Sequence, residues 1–234
     1  KINNIVNDKE VAKQLTDFEH PFTSKRPTLN TDYFETFNKR NVRLIDLKKN
    51  PIIKITKNGI KTKNEELKFD KIIFATGYDA LSGPILSLNI TGRKNIKLTK
   101  FWRNGPKTYL GLMIPNFPNF FIISGPGSPS VLTNVPAQIQ QHVEWISEFI
   151  KYLEKVKSVS VEPGIKEAEN WFKKINTLAK KSLFMKAKNS WYKGDNIPGK
   201  PKTFIPYPAG LPQYREICNK VRKKMYKGFN INFK

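Results

Sequence analysis

Four short stretches of this sequence carry residue types that could do chemistry. Lys25-Arg26-Pro27 sets two cations on a rigid turn, able to hold a phosphate and an oxyanion together. In a chain this basic, a solvated surface would show the same pair. Ala75-Thr76-Gly77 ends an apolar run in small residues, which lets a ligand or another backbone approach closely. A plain tight turn accounts for it equally well. Ser124-Gly125-Pro126-Gly127-Ser128-Pro129-Ser130 follows a second apolar run and opens a helix. Such a loop is expected to face free N–H groups outward, and the positive end of the helix behind it favours anions or developing negative charge. Its spacing is not Gly-x-Gly-x-x-Gly, so it is not the pyrophosphate grip of a dinucleotide fold. A rigid connection with no ligand is the competing reading. Last, Ser190-Trp191-Tyr192 and Asn196-Ile197-Pro198-Gly199-Lys200-Pro201 place adjacent aromatics in a Gly/Pro-rich loop, able to wall an apolar pocket or simply to fill a core.

The elements that must hold these residues are read from periodicity. Residues 7–15 predict a short helix capped by Asn7, with Glu10 at the capping-box position and Val11, Ala12 and Leu15 on one face; His20-Pro21 ends it. Residues 41–45 read as a strand. Residues 52–56 and 60–62 flank Asn58-Gly59, a hairpin turn because both residues tolerate positive φ. Residues 71–75 are apolar without alternation, the pattern of a strand buried on both faces at the centre of an α/β sheet. Residues 120–123 read as a second buried strand, after an irregular Gly/Pro-rich stretch from 77 to 118. Three helices follow. Their apolar faces are Ile139, Val143, Ile146 and Ile150; then Ala168, Trp171 or Phe172, Ile175 and Leu178; then Tyr214, Ile217, Val221 and Met225.

Composition narrows the function classes. A formal charge of +23, from 42 basic and 19 acidic residues, invites a polyanion partner. Only seven of the basic residues are arginines, the side chain that base-edge reading prefers, and the lysines are scattered. Compositional drift on solvated surfaces is favoured over a nucleic-acid-binding module. One cysteine, Cys218, excludes an internal disulfide framework and fits a reducing cytoplasm, where it reads as a buried structural thiol. The two histidines, His20 and His142, lack ligand spacing, so no metal site is expected. The apolar runs fall short of the roughly 20 residues of a membrane span. The chain opens on Lys1 and runs directly into a helix-like segment, so it reads as a piece whose N-terminal part lies elsewhere.

Taken in order, the motifs form a recognisable series. Lys25-Arg26-Pro27, Tyr33-Phe34-Glu35-Thr36-Phe37-Asn38 and Asn41-Val42 come first, then Phe74-Ala75-Thr76-Gly77-Tyr78-Asp79-Ala80. Trp102, Gly105-Pro106-Lys107-Thr108-Tyr109-Leu110-Gly111-Leu112 and Phe117-Pro118-Asn119-Phe120-Phe121 follow. The 124–130 loop with Val131-Leu132, Gln141-His142-Val143-Glu144-Trp145, Ser190-Trp191-Tyr192 and Pro198-Gly199-Lys200-Pro201 close it. From about Val6 to the C-terminus, this resembles the C-terminal half of Baeyer–Villiger monooxygenases of the cyclohexanone and phenylacetone type. The resemblance implies an α/β fold of interleaved FAD- and NADP-binding, Rossmann-like domains, of which only the C-terminal portion is present. Residues 1–78 would close the NADP-binding domain, and 79–234 would be the returning part of the FAD-binding domain. In the family, NADPH reduces FAD, O2 adds to form a peroxyflavin, and the peroxide attacks a ketone to give an ester or lactone.

Residue roles follow from the same resemblance. Arg26 matches the arginine that stabilises negative charge during oxygen transfer. Lys25 matches the lysine near the 2′-phosphate of NADPH. Thr76 and Gly77 sit at the crossing between domains, and Ser130, Val131 and Leu132 match the segment against the flavin ring. Trp191 matches the tryptophan near the nicotinamide ribose and substrate pocket, and Val135 falls where pocket residues vary. Thr23 stands where the family has glycine. The FAD and NADP glycine motifs would lie upstream, with the carboxylate that partners the arginine, so the chain alone should neither hold FAD tightly nor turn over. A flavin-dependent N- or S-oxygenating enzyme is the neighbouring alternative, and a scaffold that has lost its catalytic half is a third.

Overall fold

The computed structural model describes residues 1–17 and 20–233. The backbone divides by contact into two units, one of residues 1–22 and 26–78, the other of residues 23–25 and 79–234.

The first unit begins with helices α1 (Ile2–Ile5) and α2 (Lys9–Thr16). Asp8, not Asn7, caps α2: its Oδ1 accepts from the N–H groups of Glu10 at 2.8 Å and Val11 at 3.0 Å. The Asn7 backbone N–H donates to Asn38 Oδ1 at 2.9 Å, at the end of the 3-10 turn Glu35–Asn38. Residues 41–45 form no strand. Arg43 there makes a bidentate pair with Glu65, with N–O distances of 2.7 and 2.6 Å. Strands β1 (Ile52–Thr56), β2 (Gly59–Thr62) and β3 (Glu66–Lys68) make an antiparallel sheet in that order. Thr56 pairs with Gly59, so the turn residues are Lys57-Asn58 rather than Asn58-Gly59. Glycine is needed at 59 for a different reason: a Cβ there would lie 1.9 Å from the Leu67 carbonyl oxygen of β3.

Residues 71–75 depart most from expectation. They join no ladder, and Ile73 and Phe74 are 90% and 67% exposed. A strand apolar on both faces needs a neighbour on each edge, and no strand among the described residues pairs with it.

The second unit holds α3 (Gly83–Ser87), α4 (Leu98–Phe101), α5 (Val135–Lys155), β4 (Ser158–Pro163), α6 (Ile165–Lys180), α7 (Leu211–Lys223) and β5 (Phe229–Phe233). The stretch read as irregular thus contains two short helices, and Leu98, Trp102, Ile114, Phe117 and Ile122 form a small core there. Residues 120–123 are a single bridge, Met113 to Phe121, not a buried strand, and Ile123 is exposed. β4 and β5 pair antiparallel, a pair not anticipated from the sequence. They bring Val161 and Phe229 into the main core.

On α5 the buried face is Gln138, Gln141, His142, Trp145, Ile146 and Phe149. Ile139, Val143 and Ile150, expected inside, are exposed. The larger rings decide the rotation: Trp145 and Phe149 bury more area than the isoleucines, and Phe149 stacks on Tyr226 at 4.0 Å. α6 buries Ala168, Trp171, Ile175 and Ala179, the expected face displaced by one residue at its end. α7 buries Tyr214 and Cys218, while Met225 lies past its end and is exposed. Among the described residues, no helix is long and apolar enough to cross a membrane.

Candidate functional site

The loop 124–132 joins the Met113–Phe121 bridge to α5, and buried partners from four other segments dictate its course. The Thr108 hydroxyl donates to the Pro126 carbonyl at 2.6 Å. From α6, Trp171 Nε1 donates to the Gly127 carbonyl at 2.9 Å, while its ring stacks on Tyr207 with centroids 5.1 Å apart. Gly127 N–H donates to the Ile205 carbonyl at 2.9 Å, and Tyr207 N–H to the Ser128 carbonyl at 2.7 Å. Ser128 Oγ donates to the Gly125 carbonyl at 2.7 Å and accepts from Gln138 Nε2 at 2.8 Å. Each bond contributes about 1 kcal/mol; together they leave the loop one conformation. Glycine is required at 127, where φ is +91° and a Cβ would lie 2.7 Å from Thr108 Oγ1.

Two loop N–H groups expected to face outward, those of Gly127 and Ser128, are therefore bonded within the protein. Those two groups serve to fix the loop as a rigid wall.

His142 fixes the start of the loop. Its Nδ1 accepts the Ser124 N–H at 3.0 Å, which places the ring proton on Nε2. Nε2 faces the Tyr214 hydroxyl oxygen at 2.9 Å, and that hydroxyl donates onward to the Leu110 carbonyl at 2.6 Å. Burial pushes the His142 imidazole down to about 4, so it stays neutral at neutral pH, and burial raises Tyr214 well above the usual phenol range. Cys218 lies in the same core, its thiol pushed up to about 12 by burial, which makes it a packing group and not a nucleophile.

This scaffold delivers the 3-10 turn Ser130–Leu132, opened by Ser130 with φ at +47°. Val131 and Leu132 are partly buried against the main core, and Trp191 packs against the same cluster. Val135 is the first residue of α5. Asn134 caps that helix by accepting from the Ala137 N–H at 3.1 Å. The wall and the Trp191 segment thus share one core.

The other predicted residues are distributed differently. Thr76 and Gly77 are exposed in the first unit. Gly77 has φ at +90° and nothing within 4 Å of a would-be Cβ, so its surroundings are open. Arg26 belongs to the first unit and is exposed; Lys25 belongs to the second and is partly buried. Thr23, where the resemblance has glycine, adopts φ at +68°, a conformation that strains a β-branched residue. Sequence reading missed the clamps Thr108, Gln138, His142, Trp171 and Tyr214. One signal was available: Gln138 and His142 stand four apart among apolar residues of one helix, a spacing that shares a face. Among the described residues, no group of three His, Cys, Asp or Glu could hold a metal.

No family model matches the sequence. Comparison with curated proteins is more informative. The chain is 38% identical over 232 residues to cyclohexanone 1,2-monooxygenase of an Acinetobacter species, covering 99% of this chain and 42% of that protein. It is 40% identical to a Baeyer–Villiger monooxygenase of Pseudooceanicola batsensis, over 97% of this chain and 41% of that one. The fold superposes on the closed crystal structure of a cyclohexanone monooxygenase with a TM-score of 0.95 at 34% identity, covering 100% of this chain and 43% of that one. A crystal structure of OTEMO in complex with FAD and NADP gives a TM-score of 0.93 at 33% identity, over 98% of this chain and 42% of that one. The chain therefore spans less than half the length of the proteins it matches.

Proposed function

We propose, from the premise that this chain is related along its whole length to the Baeyer–Villiger monooxygenases, that it is the C-terminal part of an FAD- and NADPH-dependent enzyme that inserts oxygen beside a ketone carbonyl. The observation that carries this reading is the clamped wall of residues 124–132, held in a fold that along this whole chain matches part of the solved monooxygenases. Support for the cofactors comes from the chemistry of that wall. A flat, partly apolar ring needs a rigid face to lie on, and Val131 and Leu132 offer one beside the N-terminus of α5, whose positive end favours negative charge at its polar edge. The chain has no Gly-x-Gly-x-x-Gly, so the pyrophosphates would be held by upstream polypeptide.

Bound FAD would supply the oxygen chemistry and NADPH the electrons. The chain's own residues then bind, orient and stabilise. Residues 1–78 would belong to the NADP-binding domain and 79–234 to the FAD-binding domain. Arg26 is assigned to the negative charge that builds on the carbonyl oxygen when a ketone is attacked; a guanidinium preset there is a large term because it need not reorganise. Lys25 would neutralise the 2′-phosphate of NADPH, favouring it over NADH. Thr76 and Gly77 would let a cofactor approach the backbone closely, and the open side of Gly77 suits that. Ser130, Val131 and Leu132 would position the flavin ring. Trp191 would cover the nicotinamide ribose and, with Val135, line the substrate pocket. The exposed 71–75 segment would be completed by strands of the upstream part. The lone buried thiol fits a cytoplasmic enzyme.

The test is a chimera in which this chain replaces the matching portion of the Acinetobacter enzyme. It should convert cyclohexanone to the lactone with NADPH. Arg26→Ala should lower lactone formation by roughly 10²–10³-fold, the usual effect of losing one charge-stabilising donor, while NADPH still bleaches the flavin. Undiminished lactone formation by Arg26→Ala would overturn the assignment.

A further inference from the structure

We propose that Asp79 and Lys200 form a clasp that positions Trp191, with Asp195 as its internal brace. The functional weight of this clasp rests on the reading that Trp191 lines the cofactor and substrate pocket; the clasp itself rests on geometry within the second unit.

The segment from Ser190 to Pro201 has no helix or strand, and it turns through two glycines in the left-handed region, Gly194 with φ at +70° and Gly199 with φ at +77°. Such a stretch holds one shape only where side chains tie it down. One end is tied by packing. Tyr192 is buried against Phe184 and Phe204, with ring centroids 5.4 and 6.3 Å away, and its carbonyl accepts the Ile205 N–H at 2.8 Å. Trp191 rides on that anchor, its ring 4.4 Å from Tyr192.

The middle is tied by charge. Asp195 Oδ1 accepts the Ser190 N–H at 2.5 Å, and Oδ2 lies 2.9 Å from Lys193 Nζ. Both side chains of that pair are only 13% exposed. One carboxylate therefore closes the turn that carries the indole, bracing it from both sides.

The far end is tied across the unit. Lys200 Nζ pairs with the Asp79 carboxylate and lies 3.4 Å from the Ala80 carbonyl oxygen. The lysine side chain is 10% exposed, the aspartate 43%. Two glycines make room for the pair. A Cβ at Gly83 would lie 2.5 Å from Asp79 Cγ, and a Cβ at Gly194 would lie 3.2 Å from Lys200 Cδ. The lysine stem thus runs over the braced turn on its way to its counterion. An ammonium this buried is stable only while its partner is present. Without Asp79 it must regain water, and the segment that carries it must move. Asp79 and Lys200 act through Trp191 and are positioning residues, not catalytic ones.

The experiment uses acrylamide quenching of tryptophan fluorescence in the full chain, without cofactor. Of the four tryptophans, Trp102, Trp145 and Trp171 are 3%, 3% and 5% exposed, while Trp191 is only partly buried, so the quencher reads Trp191 selectively. Trp191→Phe should remove the quenchable component and verify that selectivity. Asp79→Asn and Lys200→Met should each raise the quenching constant about twofold or more, and the double variant no further, as expected for partners in one pair. The charge swap, Asp79→Lys with Lys200→Asp, should return it toward the original value. Unchanged quenching in both single variants would overturn the clasp, and so would a charge swap that quenches like the singles. A chimera that fails to make lactone leaves this result standing, and a failed clasp leaves the Arg26 assignment standing.

Discussion

At the scale of single residues, His142 shows how one buried side chain can fix the course of a loop. Its neutral form is required twice, by the N–H that Nδ1 accepts from Ser124 and by burial. The folded protein holds the imidazole at about 4, against an ordinary value of 6.5 in the unfolded chain. Between those values the unfolded chain binds more protons, so the stability contributed by this site is complete above pH 6.5 and is lost as pH falls through about 4. Linkage limits that loss to roughly 3 kcal/mol. Thermal melts from pH 7 to 4 should show Tm falling with acid, and His142→Asn should flatten that dependence. An equally steep slope in the variant would remove His142 as its source. Gly127 offers a second check at this scale. Gly127→Ala places a methyl against Thr108 at positive φ and should cost about 2–3 kcal/mol in denaturant unfolding. The glycines and prolines of this loop were legible in the sequence because they are local. Their clamps were not, because Thr108, Trp171, Tyr207 and Tyr214 come from segments that only folding brings together.

At the scale of elements, local periodicity identified all three long helices, with α6 and α7 facing largely as expected. It turned α5 the wrong way, because counting isoleucines ignores that a tryptophan, a phenylalanine and a satisfied histidine can outweigh them on the opposite face. Strand reading failed where pairing is non-local. Residues 71–75 have the composition of a central strand, yet composition cannot supply neighbours. β4 and β5 were missed although Phe229, Ile231 and Phe233 alternate, because their partner is about 70 residues away. Asp8 caps α2 in place of Asn7 because the two residues are equally good caps and the helix begins one residue later, at Lys9. The open segment gives an element-scale prediction. Ile73→Lys should change the stability of this chain by less than about 0.5 kcal/mol, since the side chain is already in water. In the chimera the same substitution should reduce bound flavin, read by absorbance per mole of protein. A large loss of stability in the chain alone would contradict the exposed placement.

At the scale of the whole molecule, the fold is similar to part of a cyclohexanone monooxygenase, with a TM-score of 0.95 over 43% of that chain, and one exposed apolar segment stands out in it. That segment is 71–75, with Ile73 and Phe74 in water. The likeness to Baeyer–Villiger monooxygenases was legible from the ordered motifs, since their order along the chain is far more specific than any one of them. The contact units place residues 23–25 with 79–234, and the assignment of residues 1–78 and 79–234 to the two cofactors is a proposal. The most direct measurement is flavin content. The chain alone and the chimera with the upstream part of the Acinetobacter enzyme would be purified with excess FAD, desalted, and scanned. The account predicts a colourless chain and a yellow chimera carrying close to one flavin per polypeptide. A chain that retains stoichiometric flavin by itself, or a folded chimera that retains none, would contradict it.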